Sequence, residues 1–171
     1  ALGGVIHFYT RTPLINQNRK ISFSGSSSYD VTQNTSKQSA LFEYSASKWA
    51  MLQYISYAHF GDIVMGKRRS HGYENWGKVD AYSENTSSNY TATPTPNSNP
   101  NKQRNTGYEQ VDLLQKWVYH SDTGLKFTLN LQGSSSGNIP RFDRLAEKQD
   151  GELRFARWEY GPQKRWLISP Q

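Results

Sequence analysis

The densest group of side chains able to do chemistry lies between residues 61 and 107. There Lys67-Arg68-Arg69 is followed at short spacing by His71, Tyr73, Trp76 and Lys78. Guanidinium groups pair with carboxylates in bidentate fashion, and aromatic faces stack on flat ligands, so this group could hold an anionic, conjugated molecule. The plainer reading is a solvated cationic loop, or one that meets phosphates at a cell surface. A second group, Arg141, Asp143 and Arg144, sits in Ile139-Pro140-Arg141-Phe142-Asp143-Arg144-Leu145. It could contact a ligand or a neighbouring domain, or form an internal ion pair that orders its own loop and adds little stability.

Catalysis has no comparable support. The histidines His7, His59, His71 and His120 have no H-x-x-x-H context, no nucleophile elbow is present, and Gly3-Gly4 lacks the spacing of a phosphate loop. His71 has no partner at a spacing diagnostic of an axial heme ligand. With no cysteine, the chain has no disulfide framework, zinc-thiolate site or thiol nucleophile. The sequence therefore predicts no enzyme, no catalytic residue, no resident metal and no cofactor. Sequons beginning at Asn34, Asn85 and Asn89 would matter only in a eukaryotic secretory protein.

The elements that must carry these groups read as strands. From Lys20 onward Ile21, Phe23, Gly25, Tyr29 and Val31 share one face, and Lys20, Ser22, Ser24, Ser26, Ser28 and Asp30 the other. Ala40, Phe42, Tyr44 and Ala46 alternate with Ser39, Glu43 and Ser45, interrupted by Leu41; Leu125, Phe127, Leu129 and Leu131 alternate with Lys126, Thr128, Asn130 and Gln132. The aromatic-rich stretches 49–60 and 108–120 are strands with less regular alternation, and 152–160 and 164–169 bring the expected total to about seven. Short connections at 45–48, 120–124 and 160–163 alternate with longer ones at 32–37, 61–107 and 134–151. The Ser-, Thr-, Asn- and Pro-rich tail of the longest, around Thr93 to Pro100, has the composition of a solvated mobile loop.

Composition agrees with sheets that have one apolar and one wet face. The apolar fraction is only 35%, yet 13% of residues are aromatic, with Tyr 11, Phe 7 and Trp 5. Disordered chains combine low hydrophobicity with few aromatics, whereas a transmembrane barrel alternates lipid-facing and lumenal residues between aromatic girdles. No apolar run reaches the roughly 18 residues of a membrane-spanning helix. The net charge of +6 permits attraction to nucleic acid, anionic lipid or an acidic ligand.

The opening Ala1-Leu2-Gly3-Gly4-Val5-Ile6-His7-Phe8-Tyr9-Thr10-Arg11-Thr12-Pro13 resembles the end of the plug domain of TonB-dependent outer-membrane receptors, just before their barrel. Ala1 to Ile6 match as a block, and His7 departs from the usual asparagine. Ile139 to Leu145 and Tyr160-Gly161-Pro162-Gln163-Lys164-Arg165 are similar to segments of some of these receptors.

The resemblance implies an all-β, antiparallel transmembrane β-barrel, N-terminal portion only, preceded by the last strand of a plug. Residues 1–13 would end the plug, with Gly3, Gly4, Val5 and Ile6 at the junction, and 14–171 would carry the first barrel strands, with extracellular loops at 61–107 and 134–151. It implies a transporter in a Gram-negative outer membrane that takes up a scarce ligand such as a ferric siderophore or heme. Lys67, Arg68, Arg69, His71, Tyr73, Trp76, Arg141, Asp143 and Arg144 are the candidate ligand contacts. The implied partners are the TonB energy-transducing complex, acting on a segment outside this chain, the extracellular ligand, and outer-membrane lipid with lipopolysaccharide; nucleic acid is not among them. Two alternatives stay open: a passive porin-like barrel, and a soluble β-domain binding glycan or nucleic acid through stacked rings and a positive groove.

Overall fold

A computed structural model describes residues 3–4, 6–84 and 93–171. Six long strands, β1 (Lys20–Asp30), β2 (Thr35–Ser45), β3 (Trp49–Phe60), β4 (Tyr108–His120), β5 (Lys126–Ser136) and β6 (Lys164–Pro170), form one antiparallel sheet. Each strand pairs with its sequence neighbour, in the order β1-β2-β3-β4-β5-β6. The fold is all-β and the sheet is open, its outer edges lying on β1 and β6.

The stretch 152–160 is not a long strand, so the sheet has six rather than seven. Only Glu152–Leu153 and Glu159–Tyr160 are extended, and they pair back onto Lys148–Gln149 and Ile139–Pro140. The connection placed at 134–151 therefore runs from 137 to 163, because Ser134 to Ser136 belong to β5 and the ladder folds the rest back on itself. The link placed at 32–37 is a tight turn over 31–34: β1 ends at Asp30, whose carboxylate accepts from the Thr32 and Gln33 amides, so Val31 leaves the strand face. One end of the sheet carries the short connections 46–48 and 121–125, joined by a Lys48–Asp122 ion pair. The other carries the turn 31–34 and both long connections.

Register sorts the side chains into two faces. On the first, rows run across the sheet as Tyr44, Met51, Trp117 and Leu129, then Phe23, Phe42, Gln53, Gln115, Leu131 and Ile168, then Ala40, Ile55, Leu113, Gly133 and Trp166. Trp49, Tyr119 and Phe127 close this face at the short-turn end, with Trp49 and Tyr119 ring centroids 4.4 Å apart. The cross-strand neighbours Gln53 and Gln115 interrupt it. The face stands open: Phe23 and Trp166 are each 73% exposed, Ile168 72% and Ile21 68%. A core in the ordinary sense is missing from it.

The second face is polar. One row crosses all six strands as Ser26, Ser39, Ser56, Asp112, Ser134 and Arg165, with the Ser26 and Ser39 hydroxyls 2.8 Å apart. Nearer the short turns this face is covered. Ala50, Leu52, Lys116 and Val118 are buried there, Leu52 to 1% exposure, and Pro13 of the preceding segment is buried with them.

Glycine is demanded at two contacts. A Cβ on Gly133 would lie 2.6 Å from the Trp166 ring, so the indole lies on the bare backbone of the next strand. A Cβ on Gly61 would meet the Gln33 carbonyl oxygen at 1.9 Å, where the longest connection leaves β3 beside the 31–34 turn.

Candidate functional site

The connection 61–107 is a folded unit. Its neck is a ladder between Ile63–Val64 and Lys102–Gln103, closed by the Asp62 carboxylate, which accepts from the Thr106 amide at 3.0 Å and the Gly107 amide at 3.3 Å. Thr106 answers by accepting from the Ile63 amide on its hydroxyl at 2.9 Å. A second ladder joins Ala81–Tyr82 to Thr95–Pro96.

Buried Asn97 ties the two together. Its amide nitrogen donates to the Val79 and Lys102 carbonyls at 2.7 and 2.9 Å, and its oxygen accepts from the Asn99 amide. The tail 93–100, expected as a solvated mobile loop, is thus packed against its own neck; its polar composition serves internal hydrogen bonds. The sequons at Asn85 and Asn89 lie outside the described residues.

This unit carries the first candidate group on an excursion, 66–78, that leaves and rejoins it between the neck and the second ladder. The Arg69 guanidinium donates to Asn101 Oδ1 at 2.6 Å and to the carbonyls of Trp76 and Lys67, so it serves the loop's own backbone. Lys67 and Arg68 point outward and exposed. His71 Nδ1 accepts from the Tyr73 amide at 3.0 Å, which leaves its Nε2 edge outward. The His71 ring lies 5.7 Å from Tyr73 and 5.9 Å, edge-on, from Trp76, and the three line a shallow cleft of about 140 Å³. Two exposed rings and one imidazole edge can stack on a flat ligand, and Lys67 and Arg68, a few residues upstream, have no side-chain hydrogen bond or ion pair among the described residues.

The second group orders the connection 137–163. Arg141 Nε reaches both Asp143 oxygens, at 2.9 and 3.1 Å, and its Nη1 donates to the Tyr160 hydroxyl. Arg144 turns to Glu147, which also accepts from Arg154 at 2.6 Å. Hydrogen bonds from Arg141 hold the Asp143 carboxyl below its ordinary range, and those from Arg144 and Arg154 do the same for Glu147. Arg144 also lies over the Trp158 ring, which meets Phe155 edge-on. All three candidate residues are therefore committed to the fold of their own loop. Among the described residues no hydrogen bond, ion pair or ring contact joins them to Lys67–Trp76, so the structure does not bring the two groups together as one site.

The third assembly was not legible in the sequence. The segment before β1 lies across the polar face: Arg11 pairs with Glu43 at 2.9 Å, Lys116 Nζ donates to the Thr10 carbonyl at 2.9 Å and to the Thr12 hydroxyl at 3.3 Å, and the Asn16 amide donates to the Ala46 carbonyl. Beyond it Asp112, Ser134 and Arg165 line two adjoining clefts of about 360 and 240 Å³. Of the four junction residues, Gly3, Gly4 and Ile6 are exposed, and Val5 lies outside the described residues. The sequence signal for this assembly is slight, since Glu43 and Lys116 are two of several charged or polar residues on that side of their strands.

Among the described residues no group of three or more His, Asp or Glu side chains could hold a metal ion, and no helix is long and apolar enough to cross a membrane. Compared with known proteins, the chain matches no family model, no curated protein and no solved structure.

Proposed function

We propose that this chain is part of the wall of a transmembrane β-barrel in a Gram-negative outer membrane, in a TonB-dependent receptor that imports a scarce extracellular ligand. The observation that carries the reading is the open apolar face. Ile21, Phe23, Ile55, Val111, Trp166 and Ile168 all stand exposed on the same side of one sheet. In water such a face would be an association site far larger than soluble monomers tolerate; against acyl chains it is the required surface.

Lengths agree. From Trp49 to Tyr57 the outward positions of β3 span about 27 Å along the strand at ~3.4 Å per residue, or about 21 Å of depth at a ~40° tilt, close to the ~25 Å apolar band of outer-membrane barrels. Both long connections leave the same end of the sheet, as the extracellular loops of such barrels do, although the tight turn 31–34 shares that end and the short link expected at 160–163 is the close of the 137–163 connection. The unpaired edges of β1 and β6 are where further strands of a larger barrel, about 22 in this family, would pair. The receptor is favoured over a passive porin by the plug-like opening and by the 10–16 segment seated on the polar face, where a plug would enter. The aromatic and cationic group at 67–76 would then contact ligand, with lipopolysaccharide phosphates as competitors for Lys67 and Arg68, and TonB would act on a segment outside this chain.

Expression of the full-length gene product that contains this chain, with membrane fractionation and a heat-modifiability gel, tests the proposal. Outer-membrane recovery with a mobility shift on boiling is expected, followed by ligand screening under iron limitation. A soluble, heat-insensitive product with salt-sensitive polyanion binding would overturn it in favour of a soluble binding domain.

A further inference from the structure

Two amides stand at the centre of the apolar face. Gln53 on β3 and Gln115 on β4 are cross-strand neighbours, and among the described residues they are the only amide side chains in the three outward rows that cross the middle of the sheet. Gln53 lies midway between Trp49 and Tyr57, and Gln115 midway between Tyr119 and Val111, so each is about 14 Å along its strand, or about 10 Å of depth at a ~40° tilt, from either end of that stretch. Phe42 and Leu131 flank them in the row, and Met51 with Trp117 and Ile55 with Leu113 flank them along the strands. Among the described residues neither side-chain amide donates or accepts a hydrogen bond, and Gln53 is exposed. From this depth a glutamine is too short to reach either interface, and hydrocarbon offers no partner, so two primary amides here are costly unless another protein surface supplies the missing bonds. Turned toward each other they satisfy one N–H and one oxygen; the other N–H groups and the second oxygen still point outward.

We propose that the outward face of β3 and β4 is a contact between two copies of this chain, with the four glutamine amides bonded to one another at its centre. The chemistry of the pair selects this partner. A primary amide is uncharged and is donor and acceptor at once, so the group that satisfies it without bringing a charge into the bilayer is another amide at the same depth. A second copy in the same membrane meets that condition by symmetry. A two-fold axis along the membrane normal preserves depth, and set between β3 and β4 it places Gln53 opposite the second copy's Gln115, and Gln115 opposite its Gln53. The apolar residues above and below then close around the amides. This inference rests on the barrel reading, since in water the two amides would be satisfied by solvent.

Cross-linking in intact outer membranes tests the contact. Two versions of the full-length gene product that contains this chain, one with Ile55→Cys and the other with Leu113→Cys, would be co-expressed and treated with a short thiol-to-thiol cross-linker. These positions face each other across the same axis, one row from the glutamines. Ile168→Cys, in the glutamines' own row but on the edge strand β6, reports random collision, and the unsubstituted protein gives the background. A 55–113 product of twice the monomer mass, stronger than the product at 168, is expected. Gln53→Leu with Gln115→Leu in both copies should abolish it while outer-membrane recovery and the heat shift persist, because leucine suits lipid better than an amide does. Linking no stronger than at 168, a product whose mass shows a different protein, or a product unchanged in the leucine variants would each overturn the proposal. The two readings fail differently: an outer-membrane, heat-shifted protein without the 55–113 link refutes the contact alone, whereas a soluble, heat-insensitive protein refutes the barrel and the contact with it.

Discussion

Placing a charge at two depths on the open face tests what that face touches. Leu131 lies in the middle outward row, between Gln115 and Ile168, whereas Phe127 lies in the row beside the short turns, opposite Tyr119. The two are on one strand and one face, four residues or about 14 Å apart along β5, which is about 10 Å of depth at a ~40° tilt. A lipid-facing arginine costs about 2–4 kcal/mol at the midplane and about 0–1 near the interface. Leu131→Arg should therefore be about 2–3 kcal/mol worse than Phe127→Arg, roughly 30- to 150-fold in the folding equilibrium at 1.4 kcal/mol per tenfold. Gln132→Arg, on the polar face next to Leu131 and opposite Leu114, where it lines a cleft, is the control and should cost little. The assay is urea titration of refolding into liposomes, read by the heat-shift gel and tryptophan fluorescence. Equal costs at 127 and 131 would refute the reasoning, and a neutral or solubilising Leu131→Arg would show that the face meets water.

Other substitutions probe the remaining contacts. Gly133→Val should cost about 1–3 kcal/mol by overpacking against the Trp166 ring, and Trp166→Ala in the same chain should recover part of it; urea midpoints of the single and double variants check this. Asn97→Ala leaves the Val79 and Lys102 carbonyls without their donor and should loosen the 61–107 unit by about 1–3 kcal/mol, seen as faster limited proteolysis within 61–107 while the strands stay protected. The folded-state acidities of Asp143 and Glu147 are depressed by their arginine partners, so their contribution to loop order is present above the ordinary carboxylate range and is lost as pH falls through the depressed folded values. Amide exchange across 137–163 should accelerate there, and Glu147→Gln should remove most of that pH response while leaving the sheet unaffected.

Strand period was legible because one-faced burial imposes it. In 20–30 Ile21, Phe23 and Tyr29 alternate with Ser22, Ser24, Ser26 and Ser28, Ser27 being the one serine on the apolar side, and β1 runs as expected up to Asp30. The strand expected at 152–160 did not form, because Glu147 draws Arg154 back toward Arg144 and the segment folds into short ladders. That competition depends on partners in space. Asn97 shows the same limit: the stretch around it reads as a solvated mobile loop, and its value as a hub arises only because the carbonyls of Val79 and Lys102 converge on it. The aromatic–cation group at 67–76 was legible as a cluster, but not the use of Arg69 as an internal brace. The seating of residues 10–16 on the polar face was not legible, since Arg11 and Thr10 meet Glu43 and Lys116 only in the folded sheet.

The order in which strands neighbour one another also bears on how the sheet assembles. Every pairing in it is a hairpin, so each strand can be added to one already formed, and the delay at each step is set by the loop to be closed. Closing a flexible loop as long as 61–107 costs about 2 kcal/mol more than closing a turn like 31–34, by the logarithmic dependence of closure entropy on length. The ladder of Ile63–Val64 with Lys102–Gln103 changes that step. Once the neck has zipped, β3 and β4 begin pairing only a few residues further along, and the closure cost is met inside the loop unit before the sheet needs it. Strengthening or weakening that neck should therefore tune the rate at which the second half of the sheet joins the first.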